Sequence, residues 1–172
     1  MQTKNTPVLH TPRLTLRPFE EGDRDGMLSM LTDGEIKKTY MIPDFDTPEK
    51  AEGMFRRFAE LSRDNTHFVY AISLEDEIIG FLNDVDRTDT SLEMGYVVSP
   101  AHWGKGYATE AFAAVIHELF AAGFATVRAG AFEGNTASMR VMEKCGMTRT
   151  GETEVIPYRG REHVCICYAI SR

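Results

Sequence analysis

The run Val97-Val98-Ser99-Pro100-Ala101-His102-Trp103-Gly104-Lys105-Gly106-Tyr107-Ala108-Thr109-Glu110-Ala111 constrains this chain more than any other stretch. An apolar segment ends at Pro100, and a turn with two glycines follows. Apolar residues then recur at 108, 111, 112, 115, 116, 119 and 120, which is the spacing of a helix face. The order is strand, glycine turn, helix. The first turn of such a helix carries backbone N–H groups with no intrahelical partner, and its dipole adds partial positive charge there. Gly104 and Gly106 let a ligand come close to the backbone. The pattern alone allows two readings, a phosphate-binding place or a tight connection. It is not a Walker A loop, because Lys105 lies between the glycines with no Ser or Thr following in register. Nor is it a Rossmann fingerprint, since Thr109 stands at the third glycine position.

The rest of the chain fits one domain over residues 1–172, and 42% hydrophobic residues suffice for a full core. The net charge of −7 argues against nucleic acid as a direct ligand and suits a cationic partner such as an amine. Cys145, Cys165 and Cys167 form no even framework and read as free thiols in a reducing compartment. The polar N-terminus is not a signal peptide, and no apolar run reaches membrane-spanning length. A cytoplasmic protein with no membrane or nucleic-acid partner is expected.

Hydrophobic spacing predicts strands over 13–17, 68–74, 78–85, 92–99, 124–132, 147–156 and 162–170. It predicts helices over 23–31, 106–122 and 136–145, and one more that begins with Thr47 as cap and Pro48 in the first turn. Residues 35–46 read as irregular, after Asp33-Gly34 breaks the first helix. Residues 92, 94, 96 and 98 share one face of their strand; 93, 95 and 97 share the other. Ala129-Gly130-Ala131 marks either close approach of a ligand or packing under a helix. Asp84, Asp86 and Asp89 lack the glycine and distal glutamate of an EF-hand loop, so no metal site is expected. The element order gives an α+β (mixed α/β) fold, with about seven strands and four helices.

Two motifs resemble those of a known family. Trp103-Gly104-Lys105-Gly106-Tyr107-Ala108-Thr109-Glu110-Ala111 is similar to the acyl-CoA pyrophosphate loop of the GNAT N-acetyltransferase superfamily, with Trp103 where most members have Gln or Arg. Asn135, Ser138, Val141, Lys144 and Gly146-Met147 resemble its second signature, in the RimJ/RimL-like form, with Met147 in place of Phe. Thr11, Arg13-Leu14 and Leu16-Arg17 resemble the opening strand of that branch. The resemblance implies a twisted, mostly antiparallel mixed sheet flanked by helices. It also implies acetyl transfer from acetyl-CoA to an amine, by direct attack in a ternary complex and without a metal. The pyrophosphate would sit on the amides of Trp103, Gly104, Lys105, Gly106, Tyr107 and Ala108, with Thr109 following. The pantetheine arm would pair with backbone near Val97 and Val98, and a Val98 N–H would face the thioester oxygen. Asn135 would contact the pantetheine or serve only as a helix cap.

Catalysis needs a base for the ammonium and an acid for the departing thiolate. Glu93 is the candidate base, in an apolar strand where desolvation raises a carboxyl pKa; the alternative is a solvated residue beside Ser91. His102, His117 and His163 are weaker candidates, His102 and His117 being expected to face solvent. Many members of the superfamily carry a tyrosine acid seven residues after the motif asparagine. That position is Met142, which has no proton to give, so attention passes to Ser138. Ser138 either bonds the carbonyl four residues back or meets the CoA sulfur. By resemblance, Asp44 and Asp46, with Glu152 and Glu154, would border the acceptor channel; the alternative for Asp44 and Asp46 is a solvated acidic loop. The acceptor is a protein N-terminal α-amine or a small-molecule amine, and the protein a monomer or homodimer. A non-catalytic acyl-CoA sensor is the alternative function.

Overall fold

The computed structural model describes residues 2–45 and 47–172. Eight strands form one sheet: β1 (Leu9–His10), β2 (Leu14–Arg17), β3 (Tyr70–Leu74), β4 (Glu77–Arg87), β5 (Ser91–Val98), β6 (Thr126–Phe132), β7 (Thr148–Tyr158) and β8 (Arg161–Ser171). Their order is β1-β2-β3-β4-β5-β6-β8-β7. Every neighbouring pair is antiparallel except β5 with β6. The strand beyond the seven expected is β1, whose two residues are too few to show a period.

Five helices flank the sheet: α1 (Arg24–Leu31), α2 (Gly34–Lys37), α3 (Pro48–Arg63), α4 (Tyr107–Ala121) and α5 (Thr136–Lys144). The fifth is α2, which starts where only a break was expected. Asp33 ends one helix and caps the next: its Oδ1 accepts from the N–H of Glu35 at 2.8 Å and of Ile36 at 3.0 Å. Thr47 caps α3 as its sequence predicts, with Pro48 at the start. Asp84 and Asp86 belong to β4 rather than to a loop. A bulge lies between them, and they pair with His67 and Arg128 respectively.

The sheet divides two apolar clusters. One, on the side of α4 and α5, contains Leu92, Met94, Val98, Phe112, Val115, Met139 and Met142. The other, on the side of α1 to α3, contains Phe19, Met27, Leu31, Ile36, Phe55, Phe81 and Val97. Alternation along β5 therefore sends even-numbered side chains to the first and odd-numbered ones to the second. This two-sidedness gives the gap between β5 and β6 two chemically distinct mouths.

Candidate active site

β5 and β6 pair at only three positions, Ser91 with Thr126, Leu92 with Val127 and Glu93 with Arg128. Beyond Glu93 they part, while β6 stays paired with β8 up to Phe132 and Cys165. The bulge in β4 bends β5's other neighbour at the same level. A cleft of about 930 Å³ opens there, large enough for an extended ligand.

Ladder parity fixes which backbone groups face it. The Ser99 N–H donates to the Ile79 carbonyl at 2.7 Å. Bonded pairs alternate in an antiparallel ladder, so Val97 spends its N–H and C=O on Phe81 in β4. Val98, one residue on, turns its own toward the gap. Its carbonyl accepts the Trp103 indole N–H at 2.7 Å, and its N–H points the same way as that carbonyl's edge of the strand. Of the two valines, Val98 turns its backbone toward the gap, while Val97 pairs with β4 and lines the cleft from within the second cluster.

The glycine turn stands at one end. Gly104 and Gly106 have φ of +74° and +80°, the left-handed region that favours glycine. Gly106 caps α4 and offers no side chain to the first-turn N–H groups, which are left for an anion. The acidic Glu110 in that turn is already engaged. It accepts from Thr11 Oγ1 at 2.6 Å, the Arg13 N–H at 2.8 Å and Arg13 Nε at 2.7 Å. Its burial raises the carboxyl pKa, but these bonds outweigh that and hold it below the ordinary value. Arg13 also donates to the Lys105 carbonyl at 2.9 Å and lies over the Tyr107 ring at 4.5 Å. Trp103, Gly104, Gly106, Tyr107, Ala108 and Thr109 all line the cleft; the exposed Lys105 does not. These features fit a long acyl thioester with an anionic end.

On the α5 side, Asn135 Oδ1 accepts from the Ser138 N–H at 3.2 Å, so it caps the helix while also lining the cleft. Ser138 lines it too, and its hydroxyl meets a side chain from the sheet rather than the carbonyl four residues back. Ser138 Oγ lies 2.7 Å from Tyr96 Oη, on β5. Met142 is fully buried in the core, and Met139, absent from the sequence reading, is buried beside it. His117 is exposed. His102, expected to face solvent, is half-buried, with Nδ1 lacking a hydrogen-bond partner among the described residues.

The opposite mouth is acidic and aromatic. Glu93 is half-buried; burial raises its carboxyl pKa, Arg128 opposes this, and Glu154 and Asp86 add to it. Arg128 reaches Glu93 Oε2 at 3.4 Å and Asp86 Oδ2 at 3.2 Å. Tyr40 covers Gly95 and donates to Asn83 Oδ1. Ala129, Gly130 and Ala131 all line the cleft, and Ala129 and Ala131 are also buried in the core on the side of α4 and α5. The Cys165 thiol lies above Gly130, and burial pushes its pKa up to about 11; Cys167 is also raised. His163 stacks on Phe132 at 4.5 Å, with Tyr158 beside both. Glu152 and Glu154 line this side. Asp44 does not: it is exposed and joins Lys37 at 2.9 Å to Arg159 at 3.0 Å. Asp46 lies outside the described residues. Among the described residues, no group of three or more His, Cys, Asp or Glu side chains is placed to hold a metal ion, and no helix is long and apolar enough to cross a membrane.

The class this fold and cleft define is borne out by comparison with known proteins. Residues 13–148 match the family described as acetyltransferase (GNAT) domain, and the chain belongs to that family of N-acetyltransferases. It is 29% identical over 150 residues to the uncharacterized N-acetyltransferase YoaA of Bacillus subtilis, covering 84% of this chain and 85% of that one. It is 30% identical over 153 residues to the uncharacterized N-acetyltransferase p20 of Bacillus licheniformis, covering 84% of each. A GNAT-family acetyltransferase crystal structure from Bacillus anthracis superposes with a TM-score of 0.82 at 25% identity, over 95% of this chain and 98% of that one. At the level of fold alone, RimJ of Mycobacterium smegmatis, solved with a CoA disulfide, superposes with a TM-score of 0.78 at 21% identity, over 99% and 90%.

Proposed function

We propose that the protein transfers the acetyl group of acetyl-CoA to a primary amine, by direct attack with both substrates bound. The observation that carries this reading is the parting of β5 from β6. It turns the Val98 N–H into a cleft that ends on the glycine-capped N-terminus of α4. Acetyl-CoA, as substrate, supplies an activated acyl carbon. The amides of the 103–108 turn hold its diphosphate, with Asn135 and Val98 along its arm.

The chain's residues divide the remaining work. Glu93 takes a proton from the acceptor ammonium, directly or through water, and the burial that raises its pKa makes it a stronger base than an ordinary carboxylate. The Val98 N–H faces the oxygen on which charge develops. As the C–N bond forms and the C–S bond breaks, the Ser138 hydroxyl proton goes to sulfur, and the second proton lost by the amine nitrogen returns through water to the serine oxygen. The acceptor enters at the acidic mouth lined by Glu93, Glu152 and Glu154, which suits a cation. A protein N-terminal α-amine and a small-molecule amine both meet that requirement.

A thiol-release screen with acetyl-CoA over peptides and small amines, with product masses, tests the reading. Turnover of at least one amine is expected. Tight CoA binding with no turnover of any amine would replace it with the acyl-CoA sensor. Absence of CoA binding would overturn both.

A further inference from the structure

The tyrosine missing from α5 has a counterpart on the central strand. Tyr96 stands 42 residues before Ser138, yet its hydroxyl lies 2.7 Å from Ser138 Oγ and 3.1 Å from the Ser138 carbonyl oxygen. Its ring rests on Phe112 with centroids 4.9 Å apart, so the phenol is held at one place on the cleft wall. The ring belongs to the apolar cluster; the hydroxyl meets the one hydroxyl on the inner face of α5.

One phenol proton has two nearby acceptors. Given to the Ser138 carbonyl, it leaves Tyr96 Oη free to accept the serine proton, which then points away from the cleft. Given to Ser138 Oγ, it occupies that oxygen's acceptor direction toward the tyrosine, and the serine proton turns to the cleft. The 2.7 Å contact is a hydrogen bond in both arrangements, with the serine as donor in the first and the tyrosine in the second; once a sulfur in the cleft accepts the serine hydrogen, only the second remains. Burial raises the Tyr96 pKa, so a phenolate is disfavoured and the tyrosine keeps its proton through the cycle.

We propose that Tyr96 is a positioning residue for the proton donor: by donating to Ser138 Oγ, it aims the serine hydrogen at the departing sulfur. The proposal rests on the reading of Ser138 as donor. As the C–S bond breaks, its electron pair goes to sulfur. The serine hydrogen forms the S–H bond, and the Tyr96 hydrogen bond stabilises the serine oxygen until the second proton shed by the amine nitrogen reaches it through water. Tyr96 has no net gain or loss of a proton.

The test is a double-mutant cycle on kcat, with both Michaelis constants and the melting temperature followed. Tyr96→Phe keeps the ring against Phe112 and removes only the hydroxyl. Ser138→Ala is expected to lower kcat about 100-fold, and Tyr96→Phe about tenfold, roughly the worth of one well-made hydrogen bond. The acetyl-CoA KM should stay within about twofold in both variants. The double variant should be no slower than Ser138→Ala alone, because Tyr96 acts only through Ser138. Slow Ser138→Ala with wild-type kcat in Tyr96→Phe overturns the positioning role and leaves the donor reading standing. Losses that multiply in the double variant also overturn it. Wild-type kcat in Ser138→Ala removes the donor reading, and the positioning role with it.

Discussion

Glu93 meets the cleft with one cation 3.4 Å away and two other carboxylates acting on it. Only its ionised form accepts a proton, and its pKa lies above the ordinary carboxylate value. As base it should give kcat/KM an acid limb above the usual carboxylate range. Glu93→Gln should erase that limb and lower kcat by roughly 10²–10⁴-fold; an unchanged pH–rate profile in the variant would exclude it as base. The sign for stability is the reverse. A carboxyl whose folded pKa is raised holds its proton more tightly in the native state, so it costs stability as pH rises through its unfolded pKa, until the folded pKa is passed. Glu93→Gln should therefore melt no lower than wild type at pH 7, separating a catalytic loss from a folding loss. Strand alternation was enough to place Glu93 on the face opposite residues 94, 96 and 98, because period two is a local property. The partner of Ser138 was not legible, because no spacing along a chain reports a contact between a strand and a helix 42 residues on.

Helix α4 is useful at its N-terminus only if that end stays electropositive, yet its first turn carries Glu110. Thr11 and Arg13, just before β2, neutralise that carboxylate and hold the turn by the Lys105 carbonyl. Arg13→Ala should therefore raise the acetyl-CoA KM several-fold and leave the acceptor KM unchanged; equal changes in both would place Arg13's effect elsewhere. The turn itself is tested by Gly106→Glu, which puts a Cβ at φ +80° and a negative charge against the bound diphosphate. At a hundredfold excess over its dissociation constant, acetyl-CoA should stabilise the wild type by roughly 2.7 kcal/mol, a melting shift of about 5–10 °C. The variant should show no shift, and a full shift there would move the phosphate site away from this turn. This element was the most legible part of the chain: strand, glycine turn and helix are each specified within a few residues. Where β5 leaves β6 was not, since pairing between strands distant in the chain leaves no local period to read. Asp33-Gly34 misled for a related reason, because the residues that stop α1 also start α2.

Across the whole molecule, the acidic side of the cleft is bordered by two pieces of chain that meet each other. The tip of the β7–β8 hairpin reaches back to the segment after α2, where the Tyr158 hydroxyl lies 2.8 Å from the Lys37 carbonyl, 3.1 Å from that of Tyr40 and 3.2 Å from that of Ile42. It also accepts from the Ile42 N–H at 3.3 Å. One hydroxyl thus sits at the centre of the turn, donating its single proton to one of these carbonyls at a time. Asp44, between Lys37 and Arg159, ties the same two pieces at the surface. Tyr40, carried by this segment, covers Gly95 and holds Asn83 on the cleft wall. Tyr158→Phe leaves the ring beside Phe132 and His163 and removes the hub. The expected result is faster amide exchange at residues 37–44, a several-fold higher acceptor KM and an unchanged acetyl-CoA KM, since the turn at 103–108 is untouched. Asp44→Asn should shift the acceptor KM the same way but less, because an exposed ion pair contributes little and the hydroxyl remains. Faster exchange with an unaltered acceptor KM would mean that the acceptor does not pass this contact. A change confined to the acetyl-CoA KM would mean that the two mouths of the cleft have been assigned to the wrong substrates.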